Sequence, residues 1–584
     1  MVMAGSAFSQ DQLKTRNASR PGVEAAAVGA LPDSVDMVVE VRDLTRMRAG
    51  VAGRALERLL TEFSTWDRTR VAWGDLATAL DMQADQCTDA LVGGHVILAA
   101  SGLDPLSALG EPQFAILSDI SAATEAQLRS RLKPAPRALV EGLPILALEN
   151  GAFELATAAP RTRHMYRPGT RIVEDVPASR VLLAPRGSSD LFDDLVPVLS
   201  GGTATSPLSL TSFWPRAREM GGRDVFFILR GSGQPQKGAV SETDEPFFAL
   251  SGAMTDDGWS AWFLGSNDMI LGGESPSPQA QPWPGVAVKA LEPGALLLVA
   301  GSPSQRFGQA PVPSGDRTLL LDLLAMMELP TELENQVDGV ALIAVHPDEA
   351  AGNAYGGIEG RRGVSVTAAL PVGDLAGLAP KADAWAMSLT GVPYQGPDAA
   401  APLGMVRAGI IPPAGPDLLH GYLQQGGTIA WAFVPSSDTP GPATGAGWWV
   451  INIRTTGGTD PSRCASSIQE LGAMLAAEPG EDKTTLFRLI VRPAILRALG
   501  NPEGQPRSDP RMLATAHPKE PHVRPLGAAG SPVGEADQAG ADPLSALRWL
   551  DRVETKILRA PRGQASGTVS LRLNVDLLDD SPRP

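Results

Sequence analysis

The residues best suited to chemistry are His346, Asp348 and Glu349, which stand close together in the sequence. An imidazole beside two carboxylates could act as a general base in hydrolysis or supply ligands to a metal ion. The apolar run that precedes them, 337–344, predicts a strand, so the three side chains would lie on a loop at a strand end, where catalytic residues are common. Histidine and proline beside acids also occur in ordinary turns, and a turn without function is the alternative interpretation.

The motifs of the common enzyme classes are absent from the sequence. It has no phosphate-binding loop, no nucleophile elbow and no H-E-x-x-H zinc motif, and Gly231-Ser232-Gly233 lacks the last glycine of a dinucleotide fingerprint. Cys87 and Cys464 do not have zinc-binding spacing, and we expect two buried or idle thiols. The sequence therefore predicts no cofactor, no metal site and no catalytic residue beyond the three candidates.

Charge and hydropathy restrict the partners. The net charge of −16 argues against binding to nucleic acid or to an anionic membrane surface. No apolar run reaches the roughly 18 residues that a membrane-spanning helix needs, so no integral membrane segment is predicted. The expected partner is a protein or a small-molecule ligand, and the oligomeric state is left open.

The N-terminal residues bear on the compartment. Met1–Gln10 is too short for a complete signal peptide, but Ala7-Phe8-Ser9 has small residues at the two positions that a signal peptidase reads. A start codon assigned too far downstream would leave such a remnant, which favours export to the periplasm. A disordered N-terminus of a cytoplasmic protein is the alternative.

An ordered series of landmarks occurs twice along the chain. In each copy a turn leads into an apolar strand, an amphipathic helix follows, and further strands come in the same order. The matched pairs are Leu31–Val41 with Leu291–Ala300, Val92–Ala99 with Val337–Ala344, Phe114–Leu117 with Val364–Thr367, Pro144–Leu148 with Trp385–Leu389, Val225–Leu229 with Ile429–Phe433, and Trp259–Phe263 with Trp448–Asn452. This order indicates an internal duplication.

These patterns predict an α+β fold of two related, duplicated domains, each a mostly antiparallel sheet with helices on one face, plus a helical C-terminal region. The chain is too long for a single hydrophobic core of usual size. The predicted segments are a disordered N-terminal segment (1–30), the first repeat (31–266), a Pro-rich linker (267–285), the second repeat (286–456), a helical segment (457–500), a mobile Pro/Gly-rich linker (501–540), and a C-terminal helix and strand (541–584).

Several segments of the first repeat together resemble a known family. They are LPDSVDMVVEVRD, LVGGHVILAAS, PQFAILSDI, SRVLLAPRGSSDLFDDLVPVLSGG, RDVFFILRG and WSAWFLGS. In this order they resemble a family of bacterial proteins of unknown function, often exported, with a repeated α+β module. The resemblance covers roughly 31–270, and the second repeat would be a diverged copy. Since the family has no established activity, the resemblance implies no functional residue.

Three functions follow as hypotheses. The first is a non-enzymatic binding or scaffold protein of the bacterial envelope, which the duplication, the acidic charge and the missing catalytic motifs favour. The second is a metal-dependent or hydrolytic enzyme that uses His346, Asp348 and Glu349. The third is a self-assembling structural protein, which exposed sheet edges and a donated C-terminal strand would support.

Overall fold

The computed structural model describes the chain in segments. They are 28–62, 74, 76–103, 112–135, 143–147, 153–166, 173–185, 188–220, 224–231, 246–271, 283–302, 329–334, 336–337, 339–348, 363–391, 405–412, 426–435, 445–454, 461–476, 484–493, 549–560 and 564–578. The predicted mobile linker, 501–540, lies outside the described residues, as does most of the predicted disordered N-terminal segment.

Nineteen strands are present among these residues. Those of the first half are β1 (Met37–Val41), β2 (Val96–Ser101), β3 (Gln113–Ser121), β4 (Lys133–Pro134), β5 (Ile145–Ala147), β6 (Phe153–Tyr166), β7 (Val173–Pro185), β8 (Val225–Arg230), β9 (Phe247–Thr255) and β10 (Gly258–Ser266). Those of the second half are β11 (Leu297–Gly301), β12 (Ala341–Asp348), β13 (Gly363–Val372), β14 (Val406–Ile411), β15 (Gly427–Pro435), β16 (Gly447–Arg454), β17 (Thr485–Val491), β18 (Leu550–Ala560) and β19 (Gln564–Leu573).

The helices of the described segments lie mainly in the connections between strands. They are α1 (Leu44–Ala49), α2 (Val51–Glu62), α3 (Ala84–Val92), α4 (Ala122–Arg131), α5 (Ser189–Leu199), α6 (Trp214–Met220), α7 (Asn267–Leu271), α8 (Gly285–Leu291), α9 (Thr331–Glu334), α10 (Leu375–Leu389) and α11 (Ser462–Ala476). Two short 3-10 helices cover Leu208–Leu210 and Val575–Leu578.

All nineteen strands belong to one sheet, and every pairing is antiparallel. The spatial order is β4-β5-β6-β7-β3-β2-β1-β8-β9-β10-β19-β18-β17-β11-β12-β13-β16-β15-β14. The two halves are therefore not separate sheets, since strand pairing continues from one half into the other.

Strand order and register repeat between the halves. Without β4, the first half reads β5-β6-β7-β3-β2-β1-β8-β9-β10, and the second reads β14-β15-β16-β13-β12-β11-β17-β18-β19. Met37 pairs with Ala100 and Leu229, and its counterpart Leu297 pairs with Val345 and Val491. Counting along these registers assigns each strand residue of one half a structural counterpart in the other.

The halves meet where β10 pairs with β19, their last strands. The pairing is symmetric about Trp262 and Thr568: Leu264 faces Ser566 on one side of this pair, and Ser260 faces Ser570 on the other. Since β10 and β19 are counterparts running antiparallel, this β10–β19 junction relates the halves by a pseudo-two-fold operation.

The predicted fold class is wrong in two respects. The strands form one sheet instead of two domain sheets, and helices cover both faces instead of one. Leu182 of β7 packs with Phe192 of α5, whereas its neighbour Val181 lies in a separate cluster with Leu128 of α4. Because successive strand residues point to opposite faces, the first half has one core on each side of the sheet.

The second half is built in the same way. Val450 of β16 packs with Ile468 of α11, and the adjacent Trp449 lies in the opposite cluster with Leu378 of α10. We call the side covered by α5, α6, α8 and α11 the α5 face, and the side covered by α3, α4 and α10 the α4 face.

The predicted helical C-terminal region is also wrong, apart from α11. In the predicted C-terminal segment 541–584, β18 stands where a helix is expected, and the later part of the predicted helical segment 457–500 contains the strand β17. Val553, Thr555 and Ile557 are β-branched and alternate with charged residues, which suits a strand more than a helix. The pairing of β18 with both β17 and β19 then fixes the strand conformation.

The matching of landmarks holds only for the early strands. β1, β2 and β3 are the counterparts of β11, β12 and β13, as the sequence indicates. Beyond them the sequence matching is wrong: the counterpart of β8 is β17 and not β15, that of β10 is β19 and not β16, and Trp385–Leu389, matched to the β5 region, lies in helix α10. Similar apolar runs recur in many strands, so composition alone does not identify a strand's place in the sheet.

Candidate functional site

A row of four charged side chains crosses the first half of the sheet. It consists of Glu40 on β1, His95 just before β2, Asp119 on β3 and Arg180 on β7; we call it the charged row. His95 Nε2 lies 2.8 Å from Glu40 Oε1, and His95 Nδ1 lies 3.6 Å from Asp119 Oδ2. Arg180 Nε donates to Asp119 Oδ1 at 3.0 Å. The Glu40 side chain is 2% exposed.

The structural counterparts of the charged row are apolar. Ala300, Val340, Pro371 and Trp448 occupy the same register positions in the second half, as shown by the pairing of Asp119 with Arg180 and of Pro371 with Trp448. All four are buried, and three belong to the core of the α5 face. The fold therefore accepts an apolar cluster at this place, and the charges are a property of the first half alone.

The charged row holds His95 as a cation. Burial lowers the pKa of His95, but hydrogen bonds and charge interactions with Asp119 and Glu40 outweigh burial and raise this pKa to about 9. Since both ring nitrogens face carboxylates, the imidazole has no lone pair ready to accept a proton from a substrate. The geometry makes the row a network of ion pairs across four strands and does not favour a general base.

We expect the stability of the protein to fall as the pH rises from 6.5 towards 9. The pKa of His95 is raised in the folded state, so its contribution is fully present below pH 6.5 and is lost as the pH passes 9. The shift corresponds to about 3 kcal/mol. Urea unfolding across this pH range measures the change, and His95→Val should remove most of it. An equal alkaline loss in that variant would contradict the assignment to His95.

A cavity lies in the second half, beside β14. Its volume is about 610 Å³, and its lining consists of Met387, Thr390, Arg407, Ala408, Gly409, Ile410, Trp431 and Pro461. We call it the Arg407 cavity, because Arg407 is the one charged residue among the described residues of its lining. Its size lies within the range of small-ligand sites.

A buried carboxylate holds Arg407 at the cavity. Asp383 of α10 is fully buried; its Oδ2 accepts a hydrogen bond from Arg407 Nη1 at 3.0 Å, and its Oδ1 accepts one from Trp431 Nε1 at 2.9 Å. The Arg407 side chain is 25% exposed. Because both carboxylate oxygens are engaged, Asp383 fixes the position of the guanidinium and of the indole together.

The contact between α10 and β14 requires a glycine. The end of α10 approaches β14 at Gly409, where a Cβ atom would lie 2.5 Å from Thr390 Cγ2. A side chain at position 409 would push the helix end away from the strand. At the other end of α10, the side chain of Asp374 caps the helix by accepting from the Gly377 N–H.

The counterparts of Arg407 and Trp431 are also apolar. The pairing of Arg407 with Trp431 corresponds to the pairing of Leu146 with Leu155 in the first half. Both leucines are buried in the cluster under α4. The ionic and aromatic constellation at the cavity is therefore specific to the second half, as the charged row is specific to the first.

The structure does not bring the three candidates from the sequence together in a described site. His346 lies in β12, where its Nε2 is 2.8 Å from the carbonyl oxygen of Leu291 at the end of α8. Burial lowers the pKa of His346, and hydrogen bonds to the Leu291 and Pro293 carbonyls partly offset this. Asp348 ends β12. The Asp348 side chain and the whole of Glu349 lie outside the described residues, so the enzymatic hypothesis stays a prediction.

The expectation for the two cysteines is met: Cys87 and Cys464 are both buried, and they form no disulfide with each other.

Sequence reasoning did not select the charged row or the Arg407 cavity. A usable signal is present in both places, because each contains an isolated charge within an apolar element: Glu40 in MVVEV, Asp383 in the apolar helix α10, and Arg407 in VRAGII. A charge is costly to bury without a partner, so such residues indicate an ion pair. The identity of each partner depends on strand order, which the sequence does not display.

Within the described segments, no group of three or more His, Cys, Asp or Glu side chains is arranged to hold a metal ion. None of the helices described above combines the length and the apolar character needed to cross a bilayer.

The Arg407 cavity thus combines a charged donor held by a fully buried carboxylate, an oriented indole and apolar walls. The members of the charged row pair with one another, so the cavity is the better candidate for contact with a ligand. The chain matches no protein-family model, no curated protein and no solved structure.

Proposed function

We propose that this chain is a non-enzymatic binding protein whose ligand occupies the Arg407 cavity. The observation that carries the proposal is the fully buried Asp383, which orients Arg407 at the cavity wall. The first half has leucines in the positions of Arg407 and Trp431, so the sheet does not need this ion pair in order to form. A buried ion pair at a place that can be apolar suggests a role other than stability.

The lining indicates the chemistry of the ligand. Arg407 presents a planar donor that suits a carboxylate, and Met387 and Ile410 supply apolar surface. A guanidinium donates hydrogen bonds and is not a general base, so this lining supports binding and not proton transfer. The ligand class is a molecule with a carboxylate next to an apolar part.

Replacing Arg407 with Gln is expected to weaken the binding of apolar monocarboxylates by about 10-fold or more, since a charge-assisted hydrogen bond contributes about 1.5–3 kcal/mol. Isothermal titration calorimetry of the full chain with a set of such acids gives the dissociation constants. The corresponding primary alcohols serve as uncharged ligands.

A matched control is Arg218→Gln, at an exposed arginine of α6 in the other half. This variant should bind the acids as the wild type does. Equal affinity of Arg407→Gln and wild type, or equal binding of acids and alcohols, would refute the proposal.

A further inference from the structure

We propose that the natural occupant of the Arg407 cavity is an extended segment of a partner protein, which adds a strand to β14 and places an acidic side chain against Arg407. This inference rests on the proposed function and specifies its ligand class. Its three supports are the position of the cavity relative to the sheet, the edge of β14, and the alternation of chemistry along that edge.

The cavity lies alongside β14, in the plane of the sheet. Arg407 and Gly409 share the face of Ile411, which is in the core under α10, whereas Ala408 and Ile410 point to the opposite face. All of these except Ile411 line the one cavity. A space that touches both faces of a single strand must pass along its edge, and an extended chain fills such a space with side chains on both faces.

Among the described residues, β14 is the last strand at its end of the sheet. It pairs with β15 on one side, and no other strand among the described residues pairs with it. Its counterpart in the first half, β5, has a further neighbour on that same side: β4, Lys133–Pro134, which directly follows α4. The molecule itself therefore shows that this sheet position accepts an added strand.

The edge has alternating chemistry, which gives a sequence preference. On one face Arg407 would meet a carboxylate, and the adjacent Met387 would pack against the stem of that acidic side chain. On the other face Ile410, which is 46% exposed, and Pro461 would pack against apolar side chains. An added strand thus needs an acid on one face and β-branched apolar residues on the other, with main-chain hydrogen bonds supplying much of the affinity.

The test uses the full chain and a fluorescein-labelled peptide of sequence Thr-Val-Glu-Val-Thr-Val. Fluorescence anisotropy should show saturable binding, and hydrogen exchange should show new protection at 406–411. Exchanging Glu for Gln in the peptide, or Arg407→Gln in the protein, should each weaken binding by about 10-fold. Two N-methylated peptides can be made, one for each set of alternate amides. One of the two should lose binding, because its methyl groups replace the main-chain N–H donors that face β14. Ile410→Lys should weaken binding, and Arg218→Gln should leave it unchanged.

The other outcomes are distinct. If neither N-methylated form loses affinity while small apolar carboxylates still bind, strand addition is wrong and the proposed function stands. If neither the peptide nor the small acids bind, both proposals fail. If sedimentation shows a dimer that Ile410→Lys dissociates and that the peptide does not disrupt, β14 pairs with a second copy of this chain, which overturns the partner assignment.

Discussion

A chain that ends at residue 548, and so lacks β18 and β19, is expected to lose cooperative folding. β10 would lose its neighbour β19, and β17 would lose its neighbour β18, so the two halves would no longer be joined through these strands. β10 and β17 would then be two long exposed sheet edges. The expected loss exceeds the whole stability of a typical domain, which is about 5–15 kcal/mol. Size-exclusion chromatography and thermal unfolding followed by circular dichroism should show aggregation or several separate transitions in place of one.

Two sets of contacts make this effect large. Ile557 and Ala565 belong to the core of the second half, and Trp549 and Leu573 are buried in a separate cluster with residues of α2. In addition, four charges form a closed ring that ties β18 to β17 and α8: Arg488 contacts Glu292 at 3.1 Å and Glu554 at 2.6 Å, and Arg552 contacts Glu292 at 2.9 Å and Glu554 at 2.8 Å.

The control for the truncation is a chain that ends at residue 578. It keeps β19 and the 3-10 helix that follows, so its unfolding should match that of the full chain. A monomeric chain ending at 548 with the melting temperature of the full protein would show that the β10–β19 junction contributes little.

Glu40→Ala is expected to destabilise the protein by about 3–5 kcal/mol, because it leaves the buried His95 cation without its nearest carboxylate. The double variant Glu40→Ala with His95→Val should be far less destabilised than this. The second half has Ala300 and Val340 in these two positions, which shows that the sheet packs well around the apolar pair.

Urea unfolding at neutral pH of the two single variants and the double variant gives the coupling energy between Glu40 and His95. Glu57→Ala serves as the control, since its ion pair with Arg48 is more exposed and should contribute at most about 1 kcal/mol. A double variant that is destabilised by the sum of the two single effects would show that the two side chains do not act as a pair.

Part of the fold is readable in the sequence. The apolar runs of β1 to β3 and of β11 to β13 identify strands and their correspondence. The sequence also indicates that helices cover both faces, through the largely apolar runs of β11, β15 and β16. All five residues of β11 are buried, and the first seven residues of β15 and of β16 are buried. A continuous apolar run is typical of a strand that is covered on both sides, and helices on one face would leave half of it exposed.

The later strand matches could not be predicted in this way. β18 alternates apolar and charged residues only in part, and Leu486–Ile490 of β17 fits a helix or a strand equally well by periodicity. Pairing with a neighbouring strand decides between helix and strand. Such a neighbour can be far away in the chain, as β10 is from β19. The candidate site could not be predicted for the same reason. Asp383 is on a helix, Arg407 and Trp431 are on two strands, and the pairing of β14 with β15 brings the two strand residues together.

The β10–β19 junction also sets an order of events during synthesis. β10 (Gly258–Ser266) is translated before the second half, and β19 (Gln564–Leu573) only after the other strands of that half. The first half is therefore complete while the strand that pairs with its outer edge does not yet exist. Domains generally fold as units while the chain grows, and an unpaired strand edge invites association with other chains. The edge of β10 thus stays open while the second half is translated, and emergence of the β18–β19 hairpin is the step that ends its exposure to aggregation.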